Sequence, residues 1–411
     1  MKWLGLALAL VLASCSTRAT RGPRPTRTDA DHSIRVALIA PEPRVGASSD
    51  FVWLQADGRT VAARGRRNEQ WRIERSAQGT QVRAIRDGAA TPWQSTLLLR
   101  ANGNGFATVN GKRYRGEIVV FVSRDSELLV LNRLSLEDYL QGVVPLEMGN
   151  RPRGDSAALQ AQAVASRSYA YVRLNGRNDF DVRSSIVDQA YGGVDAEYDL
   201  ASAAVDATRG LMLRYQGRVA DALYSSTCGG STAEAPEVWR TAGSAYLRRV
   251  SDRVGTTDRY YCDAAPRYRW TRTLSASQLN TALDEYLKAY ASVPAPGPGN
   301  ARHVAIVTRT PSGRVGVLEV ETDRGTFPLR GNDIRYVMRA PGGEILNSTY
   351  FSVEPEYGRD GLLERLTFRG RGNGHGVGMC QWGAIGRARA GHSFRSILGT
   401  YYPGTSVGPI Q

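Results

Sequence analysis

The fold of this sequence is constrained most by an apolar segment that holds one carboxylate. An alanine-rich segment with helical periodicity follows it. Glu147 lies in the run VVPLEM, residues 143–148, and a polar loop follows at 149–154. Asp155 then stands where a helix N-cap is expected. Beyond it, small or apolar residues recur at helical spacing, at Ala158, Ala161, Ala165, Tyr169 and Val172. The sequence therefore predicts a helix, closely packed against a neighbour, directly after the carboxylate.

Glu147 is the first candidate functional residue because of its apolar neighbours. Burial disfavours the charged form of a carboxyl group, so a glutamate in such a setting is expected to have a raised pKa that suits acid–base chemistry. An isolated glutamate beside a helix can also be an ordinary surface residue. The residues alone favour that simpler interpretation.

Two glycine-rich segments further along the chain are also candidates. Residues 225–232 (SSTCGGST) combine small hydroxyl side chains with glycines, which let backbone amides approach a ligand closely. A plain strand-to-loop turn is the alternative. Residues 368–384 (FRGRGNGHGVGMCQWGA) alternate glycines around His375, yet lack the G-K-[ST] of a phosphate loop. A lone histidine among glycines is more often structural than functional.

Together these segments resemble the SpoIID/LytB family. The pattern Y-L-x-G-V-V-P-x-E-M is met at 139–148, and the helix pattern A-Q-A-V-A-x-R-S-Y-A at 161–170. Residues 189–193 (QAYGG) match Q-x-Y-x-G, residues 226–232 match S-x-x-G-G-x-T, and the tail matches G-x-G-x-G-H-G-x-G-M-[SC]-Q-x-G-A. Gln160 departs from the lysine usual in the family, so a role that rests on that lysine is not carried over.

The resemblance implies a lytic transglycosylase. Such an enzyme cuts the β-1,4 bond between N-acetylmuramic acid and N-acetylglucosamine without water, leaves a 1,6-anhydro end, and needs one acid, here Glu147. The sporulation members prefer glycan stripped of stem peptides. No cofactor is implied. Substrate-binding residues are implied in the matched motifs: Gln162, Arg167, Tyr191, Ser225, Ser226, Gly229, His375 and Gln381. The alternative is a non-catalytic, peptidoglycan-binding enhancer of an amidase, as LytB-type members were named.

The N-terminus predicts an exported lipoprotein. Lys2 precedes a short apolar run, residues 3–13, which is typical of a signal peptide and too short to span a bilayer. The following LASC, which ends at Cys15, resembles a lipobox. An acylated Cys15 would anchor the protein to a membrane outside the cytoplasm. The expected partners are peptidoglycan glycan strands, that membrane and a cell-wall amidase.

The charge of the chain does not point to nucleic acid. The formal net charge is +14 and nearly all of it comes from arginine. Attraction to anionic polymers is one interpretation, and an arginine-biased genome is the one that we favour. Because the basic residues form no dense block and no nucleic-acid motif occurs, a nucleic-acid partner is excluded.

Three cysteines remain after Cys15. Export permits disulfides. We predict a disulfide between Cys228 and Cys262, because they are close in the sequence and because of the place of this pair in related sequences. This pairing leaves Cys380 without a disulfide partner. Some clostridial relatives hold zinc through His and Cys after the helix, but residues 181–189 contain neither. No C-x-x-C or H-x-x-x-H spacing occurs, so no metal is expected.

The expected fold class is α+β. We predict a signal peptide at 1–15, a flexible tether at 16–32, a β-rich region at 33–132 and a mixed catalytic region at 133–411, whose glycine-rich tail folds back on Glu147. Alternating apolar strands support the β-rich region, and the Asn-Gly pairs at 102–105 and 110–111 predict β-hairpins there. Further helices are predicted at 202–209 and, without a break, at 387–402.

Overall fold

The computed structural model describes residues 32–176 and 179–409. The predicted signal peptide, Cys15 and the predicted tether up to residue 31 lie outside the described residues. Within the described part of the chain, no helix is long and apolar enough to cross a membrane.

Two sheets form the N-terminal part, and their strands are antiparallel except that the first strand pairs in parallel with a short strand from later in the chain. The strands in chain order are Ser33–Ala37 (β1), Arg44–Ala47 (β2), Phe51–Leu54 (β3), Val61–Gly65 (β4), Gln70–Arg75 (β5), Val82–Arg86 (β6), Ala89–Ala90 (β7), Thr96–Ala101 (β8), Ala107–Val109 (β9), Lys112–Tyr114 (β10), Glu117–Val122 (β11) and Leu128–Ser135 (β12). Together with Val182–Arg183 (β13), they are ordered β13-β1-β12-β11-β8-β3-β4 in one sheet and β10-β9-β2-β5-β6-β7 in the other. The side chains between the sheets include buried Trp53 and Trp71.

The turn between β9 and β10 shows how the sequence sets the register. Asn110 and Gly111 have φ of 47° and 81°, the left-handed pair that a two-residue type I′ hairpin turn requires. Val109 therefore pairs with Lys112. The Asn-Gly residues at 102–105 make a different turn, because β8 and β9 belong to different sheets. The hairpin predicted there is wrong.

The helices follow the β-rich region. They are Leu136–Met148 (α1), Ser156–Tyr171 (α2), Asp199–Ala207 (α3), Ala235–Val238 (α4), Ala276–Tyr286 (α5), Asp333–Val337 (α6), Gln381–Arg389 (α7) and Phe394–Tyr401 (α8), with short 3-10 turns at Arg153–Asp155, Gly193–Ala196 and Leu287–Ala289. The predicted continuous helix at 387–402 is wrong, because Gly391, with φ of 87°, separates α7 from α8.

Helix α2 is buried on every side, since α1, α3, α7 and α8 all contact it. Every residue from Ala161 to Ala170 is buried, and the alanines there let the neighbouring helices approach. Asp155 precedes α2 but makes no side-chain cap bond. Its carboxylate instead accepts hydrogen bonds from Arg389 Nε at 2.7 Å and Nη2 at 2.9 Å, so it joins α2 to α7.

A second apolar core lies within the region from 269 to 371. Its strands are Arg269–Ser275 (β17), Ala301–Arg309 (β18), Val315–Thr322 (β19), Gly325–Arg330 (β20), Phe351–Tyr357 (β21) and Leu363–Arg371 (β22), in two three-stranded sheets ordered β17-β22-β21 and β18-β19-β20. Leu279 and Leu283 of α5 pack into this core with Ile334 of α6. The predicted catalytic region thus contains two cores, a division that the sequence did not indicate.

Short strands return the C-terminal tail to the first core. Leu211–Tyr215 (β14) pairs with Arg218–Val219 (β15) and with Ser406–Pro409 (β24), and Tyr224–Ser225 (β16) pairs in parallel with Met379–Cys380 (β23). Helices and sheets alternate without one repeating unit, and the predicted α+β class is confirmed. The β16–β23 ladder sets Tyr224 beside the start of α7.

Candidate active site

Glu147 lies on the last turn of α1, one residue before the helix ends at Met148. Val143, Val144 and Met148 are buried in the first core, whereas Glu147 keeps part of its surface. Gly142 lets α1 pack against residues 189–193, since a Cβ there would come within 2.7 Å of the Tyr191 ring. The helix therefore holds this carboxylate at the boundary between the core and solvent.

Three donors hold the Glu147 carboxylate. The Ala190 backbone N–H donates to Oε1 at 3.0 Å, and Gln381 Nε2 donates to Oε2 at 3.0 Å. The Tyr224 hydroxyl is a third donor. These donors come from the loop after α2, from the first residue of α7 and from β16, so segments far apart in the sequence fix one carboxylate.

The hydrogen-bond network continues behind these donors. Gln381 Nε2 also lies 3.4 Å from Gln162 Oε1, and Gln162 Nε2 donates to Ser166 Oγ at 2.9 Å. On the other side, Gln189 Nε2 donates to the Tyr224 hydroxyl at 2.9 Å. Gln189 Oε1 in turn accepts from the Tyr139 hydroxyl at 3.1 Å. These polar side chains satisfy one another and restrict the rotamers of the groups that touch Glu147.

Burial raises the pKa of Glu147 above its usual range, although the bonds from Ala190, Gln381 and Tyr224 act in the opposite direction. Burial, followed by the Glu147 charge, raises the pKa of Tyr139 and of Tyr224 well above the usual tyrosine value. Both hydroxyls therefore stay protonated at neutral pH. The site thus combines a carboxyl group that readily holds a proton with neutral hydrogen-bond donors around it.

Comparisons with known proteins agree with the matched motifs. The family described as Stage II sporulation protein matches residues 124–215, which include Glu147, Ala190 and all of α2. Stage II sporulation protein D of Bacillus subtilis is 30% identical over 295 residues, which cover 67% of this chain and 75% of that protein. The chain belongs to the SpoIID/LytB family.

Other relatives of this SpoIID/LytB protein cover similar lengths. An uncharacterized protein of Brachyspira hyodysenteriae is 34% identical over 307 residues, or 74% of each chain. The amidase enhancer of Bacillus subtilis is 29% identical over 65% of this chain, which spans 40% of that longer protein. Residues 256–378 match a family described only as a domain of unknown function, and these residues include most of the second core.

Two of the predicted substrate residues of this SpoIID/LytB protein make their contacts inside the protein. Arg167 is fully buried and donates from Nε and Nη2 to Glu137 at 2.7 and 2.8 Å. The Tyr191 hydroxyl donates to Asn132 Oδ1 at 2.6 Å, and its ring packs on Tyr139. Both side chains are buried, so the contacts that the structure shows for them are with the protein itself.

The predicted residues at 225–229 support the tail. Ser225 Oγ accepts the Gly376 N–H at 3.2 Å, and the Ser226 carbonyl accepts the Trp382 N–H at 3.0 Å. Gly229 has φ of 76°, and a Cβ there would lie 2.9 Å from the Arg371 backbone. These contacts hold the glycine-rich tail against β16, as predicted for a tail that folds back. Ser225 is buried, so a direct substrate contact there is not supported.

His375 faces the protein backbone. Its Nδ1 accepts the Val377 N–H at 3.1 Å, and its ring lies 4.9 Å from the ring of Trp239. Burial, followed by the charge of Arg335, lowers the pKa of His375 to about 3. The imidazole is therefore neutral at physiological pH and cannot act as an acid there. Its place in the structure fits the simpler, structural interpretation.

Tyr224 and Gln189 are site residues that sequence reasoning missed. Gln189 is the first residue of the QAYGG match. The prediction names Tyr191 of the same match, because the motif does not show which of its side chains faces Glu147. Tyr224 had no signal beyond its place before the SSTCGGST segment. Its hydroxyl reaches Glu147 only because β16 pairs with β23.

The surface beside Glu147 carries an aromatic side chain. Trp382, next to Gln381, is half-buried, and the Arg151 guanidinium lies 4.7 Å from its ring centre. A separate cleft of about 610 Å³ lies between the two cores and is lined by residues that include Trp239, Tyr290 and Arg330. Glu147 does not line that cleft. The Glu147 site is therefore separate from that cleft.

Proposed function

We propose that this protein is a peptidoglycan lytic transglycosylase that cleaves the MurNAc-β-1,4-GlcNAc bond and leaves 1,6-anhydroMurNAc ends. Family membership supports a function at the cell wall. The transglycosylase activity itself is proposed from the Glu147 carboxyl group. Burial raises its pKa, and three donors fix its position.

The proposed reaction uses Glu147 twice. The protonated carboxyl group first donates its proton to the glycosidic oxygen, and the bond from that oxygen to C1 of the muramic sugar breaks. The C6 hydroxyl of the same sugar then bonds to C1 while the carboxylate takes the hydroxyl proton. Glu147 ends protonated as it began, and no water is consumed.

The donors around Glu147 fit both roles. Each of them favours the carboxylate form, while burial favours the acid, so neither form is strongly excluded. An ordinary hydrolase uses two carboxyl groups, whereas the proposed intramolecular reaction, in which the C6 hydroxyl replaces water, needs Glu147 alone. Asp188 is the nearby acid to test as a second carboxylate, since its charge and that of Glu147 both act on the Tyr139 hydroxyl.

A non-catalytic role is the second candidate, and the relative named amidase enhancer supports it. In this function the same surface binds glycan and raises the rate of a cell-wall amidase without bond cleavage. For both functions we also propose that Cys15 is acylated and anchors the protein to a membrane outside the cytoplasm. Palmitate labelling of the wild type and of a Cys15→Ser variant tests the anchor.

Digestion of purified, stem-free peptidoglycan separates the two functions. We expect the wild type to release anhydro-ended fragments, detected by mass spectrometry, and the Glu147→Gln variant to bind the same glycan without releasing them. Gln141→Leu, on the same helix but bonded to Asp206, is the matched control and should retain activity. If the wild type releases nothing yet accelerates an added amidase, the enhancer function replaces the enzyme.

A further inference from the structure

Three cysteines and one aspartate meet in the interior, away from the Glu147 network. Cys228, Asp252, Cys262 and Cys380 are all buried, and one ligand atom from each lies within 4.8 Å of the others. Cys228 Sγ is 3.6 Å from Cys262 Sγ and 3.6 Å from Asp252 Oδ2. The three thiols are free, so the predicted disulfide partners are neighbours without a bond between them.

We propose that these four side chains bind one zinc ion. Tetrahedral zinc with Zn–S of about 2.3 Å and Zn–O of about 2.0 Å places its sulfur ligands about 3.8 Å apart and sulfur about 3.5 Å from oxygen. The two observed separations of 3.6 Å fit these edges. Binding releases the three thiol protons, because thiolates are the ligands.

The surrounding groups orient these ligands. Asp252 Oδ1 accepts from the Tyr401 hydroxyl at 2.6 Å and from Arg387 Nη2 at 3.1 Å, which leaves Oδ2 directed at Cys228 Sγ. Cys380 Sγ accepts the backbone N–H groups of Cys228 at 3.2 Å and Gly383 at 3.3 Å. Such contacts to the ligating side chains hold them in the orientation that a metal ion needs.

The proposed zinc site is neutral together with its buried arginines. Three thiolates and one carboxylate carry four negative charges, and zinc supplies two positive ones. Arg387 supplies a third through Asp252. Arg314 supplies the fourth, since it is buried and its Nη2 donates to the Cys228 carbonyl at 2.8 Å, while its Nε and Nη1 have no hydrogen-bond partner among the described residues. A buried cation of this kind requires compensating negative charge nearby.

Cys380 distinguishes this site from a disulfide. A Cys228–Cys262 bond would use two sulfurs and leave a third buried thiol and a buried aspartate beside it. The absence of short-range metal spacing predicts no metal, but these ligands come from four separate segments that only the fold assembles. Because all four positions are protein ligands, the ion would be structural.

The zinc site would also support the catalytic surface. Cys380 directly precedes Gln381, whose amide holds Glu147, and Cys228 lies in the loop that follows Tyr224. The ion would thus join the two segments that supply side-chain donors to Glu147. This inference does not rest on the proposed reaction, because an amidase enhancer would need the same fold.

Metal analysis of the full chain, purified under reducing conditions from cells supplied with zinc, tests the site. We expect one zinc per chain by mass spectrometry, and an affinity at least about tenfold weaker in Cys380→Ser and in Asp252→Asn. Cys15→Ser removes a cysteine outside the cluster and should keep one zinc per chain. Cobalt in place of zinc should give thiolate-to-cobalt charge-transfer bands, a readout that needs only the wild type.

Two results would overturn the zinc site. One is a wild type that, when prepared without reductant, is metal-free, has a denatured mass about 2 Da below that of the reduced chain and shows Cys228 joined to Cys262 in peptide maps, which is the disulfide. The other is a reduced, folded wild type that takes up neither zinc nor cobalt. Equal zinc in the Cys380→Ser variant and the wild type would remove Cys380 from the site and contradict the proposed ligand set.

Discussion

Gln381 donates a hydrogen bond of 3.0 Å to Glu147 across 234 residues of sequence. The two residues lie at opposite ends of the family's motifs, one closing α1 and the other opening α7. The bond shows that the glycine-rich tail returns to the Glu147 carboxylate. Gln381 stabilises the carboxylate form and so moderates the effect of burial on the Glu147 pKa.

Replacing Gln381 should therefore move the pH dependence of the reaction. The Gln381 bond lowers the pKa of Glu147, so Gln381→Leu should raise that pKa. If the protonated acid is the active form, the alkaline limb of kcat/KM should shift to higher pH. Gln141→Leu should leave the limb unchanged. A shift to lower pH in Gln381→Leu would contradict the assigned role.

The raised pKa of Glu147 also predicts how stability depends on pH. Above about pH 4.5 the folded protein binds more protons at this group than the unfolded chain does, so the ionisation costs stability as the pH rises. The Glu147→Gln variant lacks this titration. Its Tm relative to the wild type should rise between about pH 4 and pH 7. A relative Tm that falls over this range would show that Glu147 is stabilised as the anion.

Removing the Tyr224 hydroxyl should slow the chemical step. Tyr224→Phe loses one hydrogen bond to a charged group, worth about 1.5–3 kcal/mol, which corresponds to about tenfold to hundredfold in kcat. KM should change little, because the hydroxyl contacts Glu147 and Gln189 inside the protein. Steady-state kinetics on soluble glycan strands measures both constants. An unchanged kcat would remove Tyr224 from the site.

Arg167 should matter for folding and not for substrate affinity. Arg167→Ala leaves Glu137 buried without its partner, which should cost about 3–5 kcal/mol of unfolding free energy. Arg113→Ala breaks a pair with side chains 49% and 38% exposed, and should cost about 0–1 kcal/mol. Denaturant unfolding compares the two variants. A stable Arg167→Ala protein with weakened glycan binding would restore the predicted substrate role.

Site residues could be predicted from the sequence when their neighbours in the chain are also their neighbours in space. Glu147 sits in an apolar run that becomes the end of α1, and the strands before it alternate in the expected way. Arg167 shows the opposite case, because its motif gives a residue type but not its partner, Glu137. The cysteine cluster needed Asp252, which lies in a loop without any motif.

The proposed function is tested most directly by the products of stem-free glycan strands incubated with the wild type and with Glu147→Gln. We predict that the wild type yields muramic ends lighter by one water than those of hydrolysis, and that Glu147→Gln yields none while still binding the strands. Hydrolysed ends from the wild type, or equal anhydro ends from both proteins, would contradict a reaction in which Glu147 is the single acid.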